Sequence, residues 1–252
     1  MVNRVFLVDY LDKLLEIEKF QDYAPNGLQC EGKLKIKRLV TGVTASLELI
    51  EKAIAWQADA ILVHHGYFWR GEDAKICGVK KQRLTHLLSN NINLLAYHLP
   101  LDAHAIYGNN IQLAKLFNWQ ILGDMNLAIG KGIGLYGEFI KALNHTELAI
   151  YLQQKLQRKA LIIAGHNRKI KTIAWISGAA QNEITTAAKF GVDAFLTGEY
   201  SEYNYHLAKE LAITFISAGH HATERYGVKS LGNHLAINFN LKHQFIEIAN
   251  PL

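Results

Sequence analysis

Cysteine is scarce: the 252 residues include two, Cys30 and Cys77. That count excludes a fold stapled by disulfides and suits a reducing cytoplasm, which is the expected location. The two are far apart with no C-x-x-C spacing, so both read as structural. No apolar run reaches the roughly 20 residues a bilayer-spanning helix needs, so no membrane association is expected. A secretory leader is not expected either. Acidic residues interrupt the N-terminal stretch early, and Leu7, Leu11, Leu14 and Leu15 follow the spacing of an amphipathic helix. Charge of one sign is only in mild excess, 27 Lys and Arg against 22 Asp and Glu, a net +5. This suits an anionic ligand such as a nucleotide, and equally an ordinary soluble surface. It is too weak to argue for a nucleic-acid groove, and it leaves nucleic acid open as a partner. There is no Walker A loop, no G-x-S-x-G elbow, and no G-x-G-x-x-G after a strand. The stretch "GKGIG", Gly130 to Gly134, reads as a flexible linker.

What is present is a half-hydrophobic chain, long enough to bury a sizeable core. Its apolar β-rich runs alternate with segments of helical period. "KRLVTGVTA" predicts a strand, "SLELIEKAIAWQ" a helix capped by Ser46, "DAILV" a strand and "QRLTHLLSN" a helix. "INLLAYHLP" predicts a strand and "NNIQLAKLFN" a helix capped by Asn109 or Asn110. The second half repeats the pattern through "KTIAWISGAA", "QNEITTAAKFG", "VDAFLTGE", "SEYNYHLAKELA" and "ITFISAGH", and "TERYGVKSLGNHLA" opens as a helix. Such alternation implies an α/β fold.

The halves also align residue by residue. With Asp59 set on Asp193, His65 falls on Glu199. Allowing a shorter connection, His98 falls on His220 and Asp102 on Glu224. We read this as an internal duplication, a first α/β repeat over residues 1–126 and a second over 127–252, packed around a pseudo-two-fold axis. The glycine-rich "GKGIGLYGEFIKALN" marks the junction.

Open α/β sheets bind ligands at the C-terminal ends of their strands. His64 and His65 lie at such an end, in "ILVHHGYFWRG". Adjacent strand residues point to opposite faces, so the pair does not readily chelate one ion but can serve two, and Gly66 allows a sharp exit. The plainer reading is a half-buried histidine beside an exposed one. In "AGHHATE", His220 and Glu224 stand at i and i+4 and share a side if a helix starts there. A carboxylate can bridge two cations, and Glu224 can equally stabilise the helix N-terminus while His220 bonds at the strand end. Asp102 reads as a ligand or as a turn or cap residue after Pro100. His98, in or at the end of its strand, reads as a ligand, as a partner to one, or as an acid–base group. His104 reads as solvated. Tyr67, Phe68, Trp69 and Arg70 could stack on a nucleotide, although a packed loop is the default. Taken together, imidazoles and carboxylates at several strand ends suit Zn, Fe, Mn or Ni. Two such ions could activate a water and polarise a phosphoryl or carbonyl oxygen.

The stretches "DYAPNGLQCEG", "TGVTAS", "ADAILVHHGYFW", "NLLAYHLPLDAH", "GVDAFLTGE" and "SAGHHATE" resemble, in order and over nearly the whole chain, the Nif-three-like (YbgI-type) dinuclear metal-centre family, also called GTP cyclohydrolase 1 type 2 homologues. The chain resembles the short form, without the domain some members insert. The resemblance implies two intertwined α/β halves with mixed sheets, joined into one unit, and a ring-shaped homohexamer. It also implies two divalent ions, with His64 and Asp102 on one, His65 and His220 on the other, and Glu224 across both. The expected function is metal-dependent hydrolysis of a nucleotide or related phosphorylated small molecule, by GTP ring opening or cleavage of damaged nucleotides. His98 would carry a proton and Glu224 would hold both ions. A metal-binding or partner-binding ring without turnover is the alternative.

Overall fold

The computed structural model describes residues 1–252. A two-residue strand β1 (Val2–Asn3) leads into helix α1 (Arg4–Leu14). The Asn3 side chain accepts from the Val5 amide, an N-cap, and the helix buries Leu7 and Leu11. Strands β2 (Gly27–Cys30), β3 (Lys35–Ile36) and β4 (Arg38–Thr44) follow, then helix α2 (Leu47–Ala55). Ser46 caps α2 as expected, its hydroxyl accepting from the Leu49 amide. Strand β5 (Ala60–His65), helix α3 (Gly78–Ser89) and strand β6 (Asn93–Ala96) come next. Helices α4 (Leu99–Ala103) and α5 (Asn109–Phe117) lead to strands β7 (Gln120–Asp124) and β8 (Leu135–Leu143). Helix α6 (His145–Leu156) opens with a capping box between Asn144 and Glu147. Strands β9 (Leu161–Ile163) and β10 (Ile170–Trp175), helix α7 (Ile184–Ala188), strand β11 (Ala194–Thr197), helix α8 (Tyr203–Glu210) and strand β12 (Thr214–Ser217) complete the second alternating series. Helix α9 (His220–Phe239) and strand β13 (Lys242–Phe245) end the chain's regular structure. No helix is long and apolar enough to cross a membrane.

The chain divides into two compact units, Met1–Leu101 with Gly227–Ala249, and Asp102–Tyr226 with Asn250–Leu252. The first holds a mixed five-stranded sheet in the order β13-β4-β5-β6-β2. Its first four strands run parallel and β2 is antiparallel. Its core is built from Val40, Leu49, Ile50, Ile61, Val63 and Leu94 among others, with apolar faces of α2 and α3 covering the sheet. The second holds a mixed six-stranded sheet in the order β7-β8-β10-β11-β12-β9. Strands β10, β11 and β12 are parallel, and β7, β8 and β9 are antiparallel to their neighbours. Phe117, Trp119, Leu148, Leu152, Ile173 and Trp175 anchor its core.

The two sheets share a device. In the first, Asp59 Oδ2 accepts from the amides of Lys37 and Arg38, where β4 begins. In the second, Asp193 Oδ2 accepts from the amides of Lys171 and Thr172, in β10. Asp59 and Asp193 thus occupy the same place, as the alignment requires. The third strands are one residue off the sequence alignment. Val63 pairs with Ala96, and Thr197 pairs with Ser217. By this register the counterpart of His98 is Gly219, not His220, because a β ladder counts from its hydrogen bonds and the connection lengths differ.

Two further expectations are corrected. The glycine-rich segment read as the junction lies inside the second unit, where residues 135–143 form β8, paired on both sides. Its Gly137 permits close strand contact, since a Cβ there would stand 2.2 Å from the Gln120 carbonyl oxygen. "GKGIG" belongs to the connection from β7 to β8. Helix α5 is not capped by Asn109 or Asn110. Gly108 is its N-cap and supplies no side-chain bond.

Candidate metal centre

Strand β5 delivers His64 and His65 at its end, and the chain beyond β6 delivers His98. The strand stops at Ala96, so His98 lies beyond the ladder rather than in it. The rings of His64 and His65 have centroids 4.6 Å apart, and that of His98 lies 5.0 Å from His64 and 5.7 Å from His65. One nitrogen of each ring falls within 4.8 Å of the other two, a group that could hold a metal ion. The two rings approach each other although strand neighbours start on opposite faces.

The fit is best judged at His64. Its side chain is fully buried, and Nδ1 lies 2.9 Å from the Tyr97 carbonyl oxygen. A carbonyl only accepts, so Nδ1 carries a proton, and in the neutral form of the ring the lone pair is at Nε2. This is how metal-binding imidazoles are oriented by their outer partners. His65 Nδ1 meets the Thr44 hydroxyl at 3.1 Å. His98 Nδ1 lies 2.7 Å from Asp22 Oδ1, and its amide donates to Asn26 Oδ1 at 2.8 Å. Burial works to raise the Asp22 carboxyl, but hydrogen bonds from His98, Asn26 and the Tyr23 amide hold it below its ordinary value.

The loop after the histidines is packed only at its start: Gly66 and Tyr67 are buried, Trp69 is half-buried, and Phe68 and Arg70 are exposed. A Cβ on Gly66 would lie 2.1 Å from Gln29 Oε1 and 2.6 Å from the Ala96 Cβ. Gln29 in turn accepts from the Tyr67 amide at 2.7 Å. The Tyr67 hydroxyl donates to the Ala45 carbonyl at 2.6 Å, and burial pushes its pKa up. Trp69 stands edge-on to His98, with ring centroids 5.0 Å apart.

The second unit gathers Asp102, His220 and Glu224 with their supports. Helix α9 begins at His220, so His220 and Glu224 sit one turn apart with Nε2 and Oε2 separated by 3.0 Å. His220 Nδ1 meets Glu199 Oε1 at 2.6 Å, the same outer-partner arrangement as at His64. Burial lowers the His220 pKa, but Glu224 and Glu199 overcome it and push it up to about 9. A cation at Nε2 would take the place of that proton.

Asp102 is buried in α4, and its Oδ1 accepts from Asn109 at 2.9 Å and from the Ser177 hydroxyl at 3.1 Å. Asn110 is used likewise, its Oδ1 accepting from the Ser177 amide. The asparagines expected as caps therefore serve Asp102 and the Ser177 turn. His104 is half-buried rather than solvated. It stacks on Tyr107, and its Nδ1 accepts from the amides of Ile106 and Tyr107.

Asp22, Ser177 and Gly178 went unsingled in the sequence. Asp22 opens the "DYAPNG" stretch, whose Asp-x-x-x-Asn spacing is the only local sign of its role. Ser177 and Gly178 follow β10, a strand end that carries no imidazole or carboxylate. Imidazoles in the first unit, and an imidazole and buried carboxylates in the second, with no thiolate, are the donors offered at these places.

A family model described as Duf34/NIF3 (NGG1p interacting factor 3) matches residues 2–251. The chain is 50% identical over 251 residues to a GTP cyclohydrolase 1 type 2 homolog of Yersinia pestis, covering 99% of this chain and 100% of that one. A relative so named in Escherichia coli K12 is 44% identical over 246 residues, covering 97% and 98%. Among solved structures, protein ybgI, described as of unknown function, superposes with a TM-score of 0.96 at 43% identity over 100% of both chains. A Thermus thermophilus protein superposes with a TM-score of 0.90 at 34% identity, again over 100% of both.

Proposed function

The chain belongs to the Duf34/NIF3 family, and on that premise we propose that it is a dinuclear metal-dependent hydrolase of a nucleotide or related phosphorylated small molecule. His64 and Asp102 would hold one divalent ion, His65 and His220 the other, and Glu224 would bridge them. The observation that carries this reading is the outer bonding of the donors. His64 and His220 each turn Nδ1 to an acceptor-only oxygen, the arrangement by which an outer partner orients a metal-binding imidazole.

Divalent ions held there would supply Lewis acidity and water activation. The chain's own part is positional. Glu224 is kept in place by His220 and by the absence of a side chain at Gly178. His98, next to His64 and His65, takes a proton at Nε2. The curated relatives' name makes GTP ring opening one form of the reaction, and cleavage of damaged nucleotides is another. A homohexamer in the cytoplasm completes the proposal, and light scattering measures the assembly.

The test is turnover of a nucleotide panel by protein reloaded with manganese or zinc, beside His65→Ala. Turnover that depends on metal and is lost in His65→Ala is expected. If the fully metallated protein leaves every substrate intact, hydrolysis is wrong and the non-catalytic metal-binding reading replaces it.

A further inference from the structure

Beneath the three imidazoles lies a carboxylate that metal binding does not need. The Asp22 side chain is 4% exposed and that of His98 16%. Four donors converge on Asp22. Oδ1 faces the Tyr23 amide at 2.6 Å and His98 Nδ1 at 2.7 Å, and Oδ2 faces the Leu99 amide and Asn26 Nδ2, each at 2.9 Å. The Asn26 amide cannot turn round, because its own oxygen accepts from the His98 backbone. Three of the donors thus have fixed direction, and the fourth position can only be filled by an N–H on His98.

We propose that Asp22 is a positioning residue that locks His98 in its Nδ1–H tautomer, so that Nε2 is the nitrogen able to accept a proton. The proposal rests on the reading of His98 as the proton-transferring group. The loop that carries Asp22 is built around His98. It binds the side chain and both adjoining amides of His98 and Leu99, and it receives the Arg70 guanidinium at the Asp22 carbonyl, 2.9 Å away. Any buried backbone amide needs a partner, so the bond from the ring nitrogen to a carboxylate is the specific feature of this histidine. This one is held at Nδ1, at its own amide and at the next.

The geometry also foretells what an amide would do there. In Asp22→Asn the new oxygen has two possible places. Facing Leu99 and Asn26, it keeps both of their bonds and turns its NH2 toward His98. Facing His98 instead, it sets the NH2 against two donors that cannot reverse. The first arrangement has fewer opposed donors, and it forces the His98 proton from Nδ1 to Nε2.

The experiment is a long-range 1H–15N correlation spectrum of the full-length, histidine-labelled protein loaded with zinc. In the wild type, His98 is expected to be protonated at Nδ1 and bare at Nε2. In Asp22→Asn the proton moves to Nε2, zinc content is unchanged, and any hydrolytic kcat falls about 100-fold with KM little altered. Asp22→Glu retains the wild-type tautomer and recovers part of the rate. A wild-type His98 protonated at Nε2 overturns the proposal without need of any variant. So does an Asp22→Asn protein with the tautomer unchanged, or one that loses its zinc. If the tautomers behave as expected while no nucleotide is turned over, hydrolysis fails and the Asp22 assignment stands.

Discussion

Gly178 and Glu224 stand so close that a Cβ on the glycine would lie 2.1 Å from Oε1 of the glutamate. Gly178 also has φ +69°, where an L side chain is strained. It directly follows Ser177, which bonds Asp102, and its amide donates to the Thr223 hydroxyl. One turn therefore touches both buried carboxylates of the second unit.

Gly178→Ala should accordingly act twice. The backbone strain costs roughly 1–2 kcal/mol of stability, and the displaced carboxylate weakens metal binding at least about 10-fold. Thermal unfolding of the metal-free protein separates the first effect, and zinc titration reads the second. An alanine variant with wild-type affinity would show that Glu224 does not bind the ion.

Asp59 and Asp193 predict an acid-labile pair. Burial tends to raise both carboxyls. At Asp59 the Lys33 ammonium and the Lys37 and Arg38 amides outweigh it, and at Asp193 the Lys171 and Thr172 amides and the Thr172 hydroxyl do so. Both are held below the ordinary aspartate value near 3.9. Their stabilisation is complete above that value and is lost as pH falls through the depressed one. Asp59→Asn and Asp193→Asn should each cost about 1.5–3 kcal/mol at pH 7. Denaturant unfolding across pH should show each variant converging on the wild type below about pH 4. A difference that persists unchanged into acid would count against the charge as its source.

Asn109→Ala tests the place of Asn109 beside Asp102. Because Gly108 holds the cap position, helix α5 should keep its length, read by amide exchange. Metal affinity should fall about 10-fold, as Asp102 Oδ1 loses one of its two side-chain donors. Loss of the helix with affinity intact would restore the capping role.

Local chemistry was legible at Ser46 and at His220, where the partner lies within one helical turn. Ser46 capped α2 as read, since its bond reaches only three residues ahead. His220 and Glu224 met because one helical turn joins them. Asn109 and Asn110 look the same in sequence as Ser46 does, yet their amides are taken by Asp102 and by the Ser177 turn, 67 residues away for Asn110. Short edge strands such as β2 and β9, four and three residues long, are too brief to display a period in the sequence.

Composition and pattern alone determined the α/β class, the order of the main strands and helices, and the family, because alternating periods and ordered motifs are properties of the chain itself. Tertiary structure alone decided that β13 pairs with β4 across some 200 residues, that the third strands register one residue off the sequence alignment, and that Asp22 holds His98. Each of these depends on a hydrogen bond whose two ends lie far apart along the chain, and no local pattern records the distance between them.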